Sequence, residues 1–485
     1  MTCTAAAPAL SPSGTRFPAD PGVVDVTRAP YNTDNTGVTD ASDAIRAAIK
    51  DHLGKRAFIY FSNGTYRVSK PLWWKGEPFP GNPEGWWARL VFRGQSRDGT
   101  IIKLVDNAPG FSNPASPTGV IVTASENAFE DGGNNQGFQN SVGDLTVHTG
   151  RGNAGAVGID YVVSNQGTGR DVRIVSGDGG GHAGIRMVRK WPGPGLIKNV
   201  EIQGFDYGIN WAEDAYSMTL EHITLRGQRV AGIRNTNAQS FIRGLTSVNS
   251  VPVLESTSEW QGQIGGPLNT VIGGNFSGGA PGNAAIVYGG ELLARDLTVS
   301  GYGTAIDDRS SANRDVPMSA NTPTVGEFLS TPARSLFPSL GGTLRLPVEE
   351  TPEYDPGDPA GWANVTDHGA RPGLDFDSTD GIQAALNSGK AVVWFPGPAT
   401  FYRVTRTLTV PASVRLITGP NPILRGDGAL FADKNNPQPL LRVQGASADP
   451  VIFEHMETGG ADGVIGLDQA STRTVVWKHG NLTGG

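Results

Sequence analysis

The sequence predicts an all-β fold: a right-handed parallel β-helix solenoid, built twice in tandem, each copy opened by a short capping helix. Three observations predict it. A polar pair followed by an alternating apolar/polar run recurs at GDLTV (143–147), RDVRI (170–174), KNVEI (198–202), EHITL (221–225), RGLTS (243–247) and RDLTV (295–299). The composition has 67 Gly and only 18% charged residues, which favours short strands and turns over helical bundles. One helix-plus-strand stretch is written twice, at 38–68 and again at 375–404.

Residues 1–20 read as an N-terminal tail, without the charged start and long apolar run of a whole signal peptide. The two start modules share the form D-x-x-D-x-I-x-x-A-[I/L]. In the first these are Asp40, Asp43, Ile45, Ala48 and Ile49; in the second, Asp377, Asp380, Ile382, Ala385 and Leu386. Asp40 and Asp377 suit an N-cap, Asp43 and Asp380 suit the first turn, and the apolar positions make one buried stripe. AFIYF or AVVWF follows as a strand, then TYRV or FYRV.

Between the modules, Leu145, Val172, Val200, Ile223 and Leu245 recur every 22 to 28 residues, and Gly-Ile pairs interleave at 158/159, 184/185, 208/209 and 232/233. A period in this range with period-2 alternation signals stacked coils with inward Val, Ile and Leu. Residues 21–310 are therefore read as a first β-helix. Residues 311–363 break the period, are rich in proline and read as an extended linker; 364–485 form a second, short β-helix.

Net charge is −7 with a pI near 5.6, and no Lys/Arg run stands out, so nucleic acid is not an expected partner. The acidic balance also disfavours a polyanionic substrate. Cys3 is the lone cysteine, so no intramolecular disulfide forms. No run of about 18 apolar residues predicts a membrane span.

The tandem start modules, together with NSVGDLTVHTGRGNAGAVGIDYVVSNQGTGRDV (140–172) and GLDQASTRTVVWKHG (466–480), resemble the pectate-lyase-like superfamily. Within it they are similar to glycoside hydrolase family 55, whose members are β-1,3-glucanases made of two joined β-helices. The resemblance implies an extracellular, inverting hydrolase without a cofactor, acting on a polysaccharide or oligosaccharide. It implies a glutamine and a serine on the first β-helix that hold the attacking water, and an acidic glutamate on the second. Gln166, in SNQGTGRDV, falls at the glutamine. The serine position falls on RKWPGPG (189–195), which has none, and the glutamate falls beyond Gly485.

The residues offer further candidates. SGDGGGHAG holds Asp178 and His182, an acid and an imidazole in a glycine-rich turn; the alternative is that Asp178 bonds its own turn. YGINWAEDAY holds Trp211, Glu213 and Asp214, where an aromatic face could stack on a pyranose while carboxylates bind hydroxyls. Asp307 and Asp308 are adjacent on a strand and point to opposite faces, which disfavours a working pair. Trp73, Trp74, Trp86 and Trp87 crowd one Pro/Gly-rich loop, either as a carbohydrate platform or as a plug for the solenoid end. The seven histidines are scattered in sequence, and no metal constellation is expected. Two other classes stay open: a polysaccharide lyase or polygalacturonase-like enzyme on uronic-acid glycans, and a non-catalytic glycan-binding β-helix lacking its acid.

Overall fold

The computed structural model describes residues 14–74, 89–123, 137–163, 165–189, 192–212, 217–256, 267–309, 319–320, 323–331, 333, 335–338, 342–397 and 400–484. The polar pairs explain its first stack of coils. The second member of each pair adopts a left-handed backbone: Asp144 (φ 55°), Asp171 (55°), Asn199 (54°), His222 (53°), Gly244 (66°) and Asp296 (58°). Asp, Asn, His and Gly are the residues that tolerate this region. The pairs lie in register from coil to coil, Arg170 against Gly143 and Lys198, so the column of turns runs along the stack.

The apolar position after each turn points inward. Leu145, Val172, Val200, Ile223, Leu245 and Leu297 are all at most 1% exposed, and each such side chain contributes roughly 1.5–3 kcal/mol of burial. One coil escaped the pattern. The strand Leu268–Ser277 carries Gly274 where its neighbours carry Leu245 and Leu297, and Phe276 sits where the missing side chain would be.

Parallel pairing builds a 14-stranded sheet that runs from Val23–Asp25 to Thr324–Leu329, and a 10-stranded sheet from Leu72–Trp73 to Ser319–Ala320. The Gly-Ile pairs occupy the second sheet, with Ile159, Ile185, Ile209 and Ile233 stacked in register. Their glycines are steric necessities. A Cβ on Gly184 would stand 2.3 Å from Ile202 Cγ2 and 2.9 Å from the Gly208 carbonyl. Gly184→Ala is therefore expected to cost about 1–3 kcal/mol, read as a lower urea midpoint at unchanged slope.

Residues 319–320 and 324–329, read from sequence as linker, are instead antiparallel strands on the last coils of both sheets. Antiparallel pairing there gives the end of the stack a partner.

Helix α1 (Ser42–His52) buries Ile45, Ala48 and Ile49, and helix α2 (Thr379–Leu386) buries Ile382, Ala385 and Leu386. The expected N-caps are corrected by one residue. Asp40 and Asp377 lie just outside the cap positions Ala41 and Ser378, where each accepts a backbone N–H two residues on, from Ser42 (2.9 Å) and Thr379 (3.0 Å). After α2, three parallel sheets of five, four and three strands form the second stack around its own core. Val392–Trp394, Leu416–Thr418, Val451–Glu454 and Val475–Lys478 belong to the five-stranded sheet. Its inner face packs that core. Its outer face, with Trp394, Leu416, Ile452 and Val476, packs a second cluster against Phe17, Val23 and Tyr354. A sheet covered on both faces reads as continuous apolar runs, as AVVWF does.

Two segments fasten the stacks together. Residues 14–20, read as part of a tail, form a wedge: Phe17 packs edge-on against Phe58 and Tyr60, and Asp20 accepts Trp394 Nε1 (3.0 Å) and the Gly397 N–H (3.0 Å). Residues 342–356 run back along the column of turns as a strap. Arg345 pairs with Asp296 (2.8 Å). Glu350 pairs with Arg243 (2.8 Å) and His222 (2.6 Å), and Glu353 with Arg170 (3.2 Å) and Lys478 (2.6 Å).

Candidate functional site

The seam between the stacks collects polar groups from both. Gln139 Nε2 donates to Glu457 Oε1 at 2.6 Å and lies 3.4 Å from Gln166 Oε1. Gln166 Nε2 in turn donates to Asn481 Oδ1, and Asn481 Nδ2 reaches Glu457 at 3.3 Å. Arg56 Nη1 forms an ion pair with the other Glu457 oxygen at 2.7 Å, and both side chains are 10% exposed. Arg89 lies close enough to feel both; burial, then the Arg56 charge, pushes its guanidinium down to about 10. Gln139 and Gln166 are held at strand mouths by left-handed backbone (φ 60° and 61°). Gln166 is exposed, so the cluster opens to solvent on that side.

Further along the seam is a cavity of about 270 Å³. Phe17, Tyr354 and Trp362 line it together with Arg93, Asp144, Arg170, Glu454, His455 and Lys478. Asp144 pairs with Arg93 at 2.6 Å, yet burial pushes its carboxyl up to about 6. Burial would also raise Glu454, but Lys478 and Arg170 overcome it and hold the carboxylate well below its usual range. Burial disfavours the Arg170 charge, and four surrounding carboxylates more than restore it. Between the two regions, the His455 and His479 rings stack at 4.7 Å, both kept neutral by burial.

The structure brings one residue of the sequence-derived set, Gln166, to this seam. Asp178 lies elsewhere and serves its turn: its carboxylate accepts N–H bonds from Gly152 (2.7 Å) and Gly180 (3.0 Å), which lower its pKa. His182 faces Asn210 (3.2 Å) and packs edge-on against Tyr207. Trp74 and Trp211 are corrected as substrate-binding residues: both are 0% exposed, turned into the solenoid core, where no sugar can reach their faces. Trp73 is half-buried on Val122, with Arg46 5.0 Å above its ring. Glu213, Asp214, Trp86 and Trp87 lie outside the described residues. Sequence reasoning missed Arg56, Gln139, Glu457 and Asn481, which come from both stacks, Gln139 and Glu457 being 318 positions apart. It also missed Asp144, Glu454, His455 and His479.

Comparisons with known proteins find the following similarities. Residues 26–261 match the family profile described as rhamnogalacturonase A/epimerase, pectate lyase-like. A glucan 1,3-beta-glucosidase from Cochliobolus carbonum is 24% identical over 463 residues, covering 85% of this chain. The chain spans 55% of the length of that relative. Among solved structures, a GH87 alpha-1,3-glucanase catalytic unit from Streptomyces thermodiastaticus covers 98% of this chain and 70% of its own, at 10% identity and a TM-score of 0.36. The A-module of an Azotobacter vinelandii mannuronan C-5 epimerase covers 95% and 99%, at 11% identity and 0.37. Residues 26–261 thus resemble the pectate-lyase-like family, and the parallel pairing of their strands is that of a β-helix.

Proposed function

We propose that the protein is a glycoside hydrolase acting on a β-1,3-linked glucan, with the water-activating half of its site at the seam. One observation carries this reading: the glutamine singled out by resemblance, Gln166, shares a hydrogen-bond network with a carboxylate from the second stack, Glu457. Inversion needs a base that activates water on the face opposite the leaving group. Glu457 suits that role because Arg56 pairs with one of its oxygens and Gln139 fixes its orientation through the other. Gln166, exposed beside it, can hold the water with its amide. Similarity to a glucan 1,3-beta-glucosidase supports the substrate class.

The test isolates this half of the chemistry. A 2,4-dinitrophenyl β-laminaribioside has a leaving group that departs without protonation, so its hydrolysis needs the base but no acid. The expected result is hydrolysis with release of the α-anomer, followed by NMR. Binding of laminari-oligosaccharides with no turnover of this substrate overturns the reading in favour of a glycan-binding module. The family profile, named for rhamnogalacturonase and epimerase, favours a second reading on uronic-acid glycans. Unsaturated uronate absorbance with a pectic or alginate polymer would replace the first reading with the second.

A further inference from the structure

We infer that Glu454, His455 and His479 form a binding site for a single transition-metal ion of the zinc class, set between the two stacks. The inference does not rest on the hydrolase reading. One donor atom from each of the three residues lies within 4.8 Å of the others. A tetrahedral site with metal–nitrogen bonds near 2.0 Å sets its donors about 3.3 Å apart, so small side-chain rotations close the set.

Two further observations point to a ligand. The first is Glu454. Its Oε1 contacts are all long: 3.5 Å to Arg170, 3.6 Å to His479 and 3.9 Å to Lys478. The same cations make much shorter contacts with other carboxylates, Arg170 with Asp171 at 3.0 Å and Lys478 with Glu353 at 2.6 Å. Glu454 is thus a largely buried carboxylate whose neighbours are already engaged, which leaves room for a short bond to a cation. The second is His479. Its side chain is 5% exposed, its Nε2 makes no hydrogen bond, and that nitrogen faces Glu454.

The surroundings match what a metal-binding imidazole needs. His479 Nδ1 lies 3.4 Å from Thr168 Oγ1 on the first stack. With Nδ1–H donating to that hydroxyl, the Nε2 lone pair is directed at the site, the outer-shell arrangement typical of metal-bound histidine. His455 is stacked on His479 and braced by the Phe58 ring at 4.9 Å. Two neutral imidazoles and one carboxylate are a borderline donor set, suited to Zn²⁺, Co²⁺ or Ni²⁺ over Ca²⁺ or Mg²⁺. Glu454 and His455 also line the cavity, so a fourth position faces that space.

The experiment uses the full chain, dialysed against chelator. Zn²⁺ is expected to bind with one equivalent and to raise the thermal midpoint, and Co²⁺ to give the visible d–d absorption of a four-coordinate site. His479→Ala and Glu454→Gln are expected to abolish both signals, and exposed His368→Ala to leave them unchanged. Thr168→Val, which keeps every ligand, is expected to weaken Zn²⁺ affinity about tenfold; it carries the test if His479→Ala fails to fold. Absence of Zn²⁺ uptake by the wild-type chain overturns the inference. So does uptake that survives His479→Ala, or a folded Thr168→Val variant with unaltered affinity.

Discussion

Glu457→Gln is expected to lower hydrolysis of the activated laminaribioside by about 10²–10⁴-fold, the range that general-base assistance contributes. The substitution is chosen to keep the shape of the network. A glutamine with its carbonyl turned to Arg56 keeps an acceptor there and donates its amide to Gln139 once that amide flips, whereas alanine would leave Arg56, 10% exposed, with no partner at 2.7 Å. Removing one partner of a buried ion pair costs about 3–5 kcal/mol, enough to confuse lost chemistry with lost fold. Glutamine keeps one polar contact to Arg56, so its cost should stay nearer 1–3 kcal/mol. The measurement is kcat on the activated substrate beside a urea melt. A folded Glu457→Gln protein with wild-type kcat would remove Glu457 from the mechanism.

Trp211→Ala separates the sequence-based reading from the structural one. Trp211 ends the strand Tyr207–Trp211, pairs in register with Met187 and Asn235, and is 0% exposed. Truncating a buried tryptophan costs about 3–5 kcal/mol through lost burial and the cavity left behind. The expected result is a large fall in the urea midpoint, with affinity for laminari-oligosaccharides unchanged under conditions where the variant is folded. Lost affinity at intact stability would return Trp211 to the substrate-binding set.

The fold was legible because its signals are local and repeated. Polar pairs mark left-handed turns, Gly-Ile pairs mark a corner where a Cβ has no room, and each start module writes a helix stripe next to a strand. The coil at 268–277 was missed because Gly274 removes the apolar mark and Phe276 takes over its space. Trp74 and Trp211 misled for a physical reason: a ring in a Gly-rich loop and a ring that ends an inward-facing strand look alike until the face is known.

The site was far less legible, since it is assembled from both stacks. Gln166 was visible as a motif; its partners Gln139, Glu457 and Asn481 were not. One signal could have found part of it. FEHME (453–457) and WKHGN (477–481) are consecutive coils in register, which already stacks His455 on His479 and Glu457 beside Asn481. What no repeat could reveal is which face of the first stack they meet.

The strap of residues 342–356 decides that meeting. By running back over Asp296, Arg243 and Arg170, it delivers the second stack to the coils around Gln139 and Gln166 instead of the far end of the first. It is a tether of set length, so the two halves of the seam meet at a high local concentration and need little intrinsic affinity for each other. Its anchors are charge pairs that retain 14–53% side-chain exposure, such as Arg243–Glu350 and Arg345–Asp296. Ionic strength weakens such contacts far more than it weakens either apolar core. Salt is therefore expected to loosen the strap first, while both coil stacks and the apolar cluster around Phe17 that joins them stay intact.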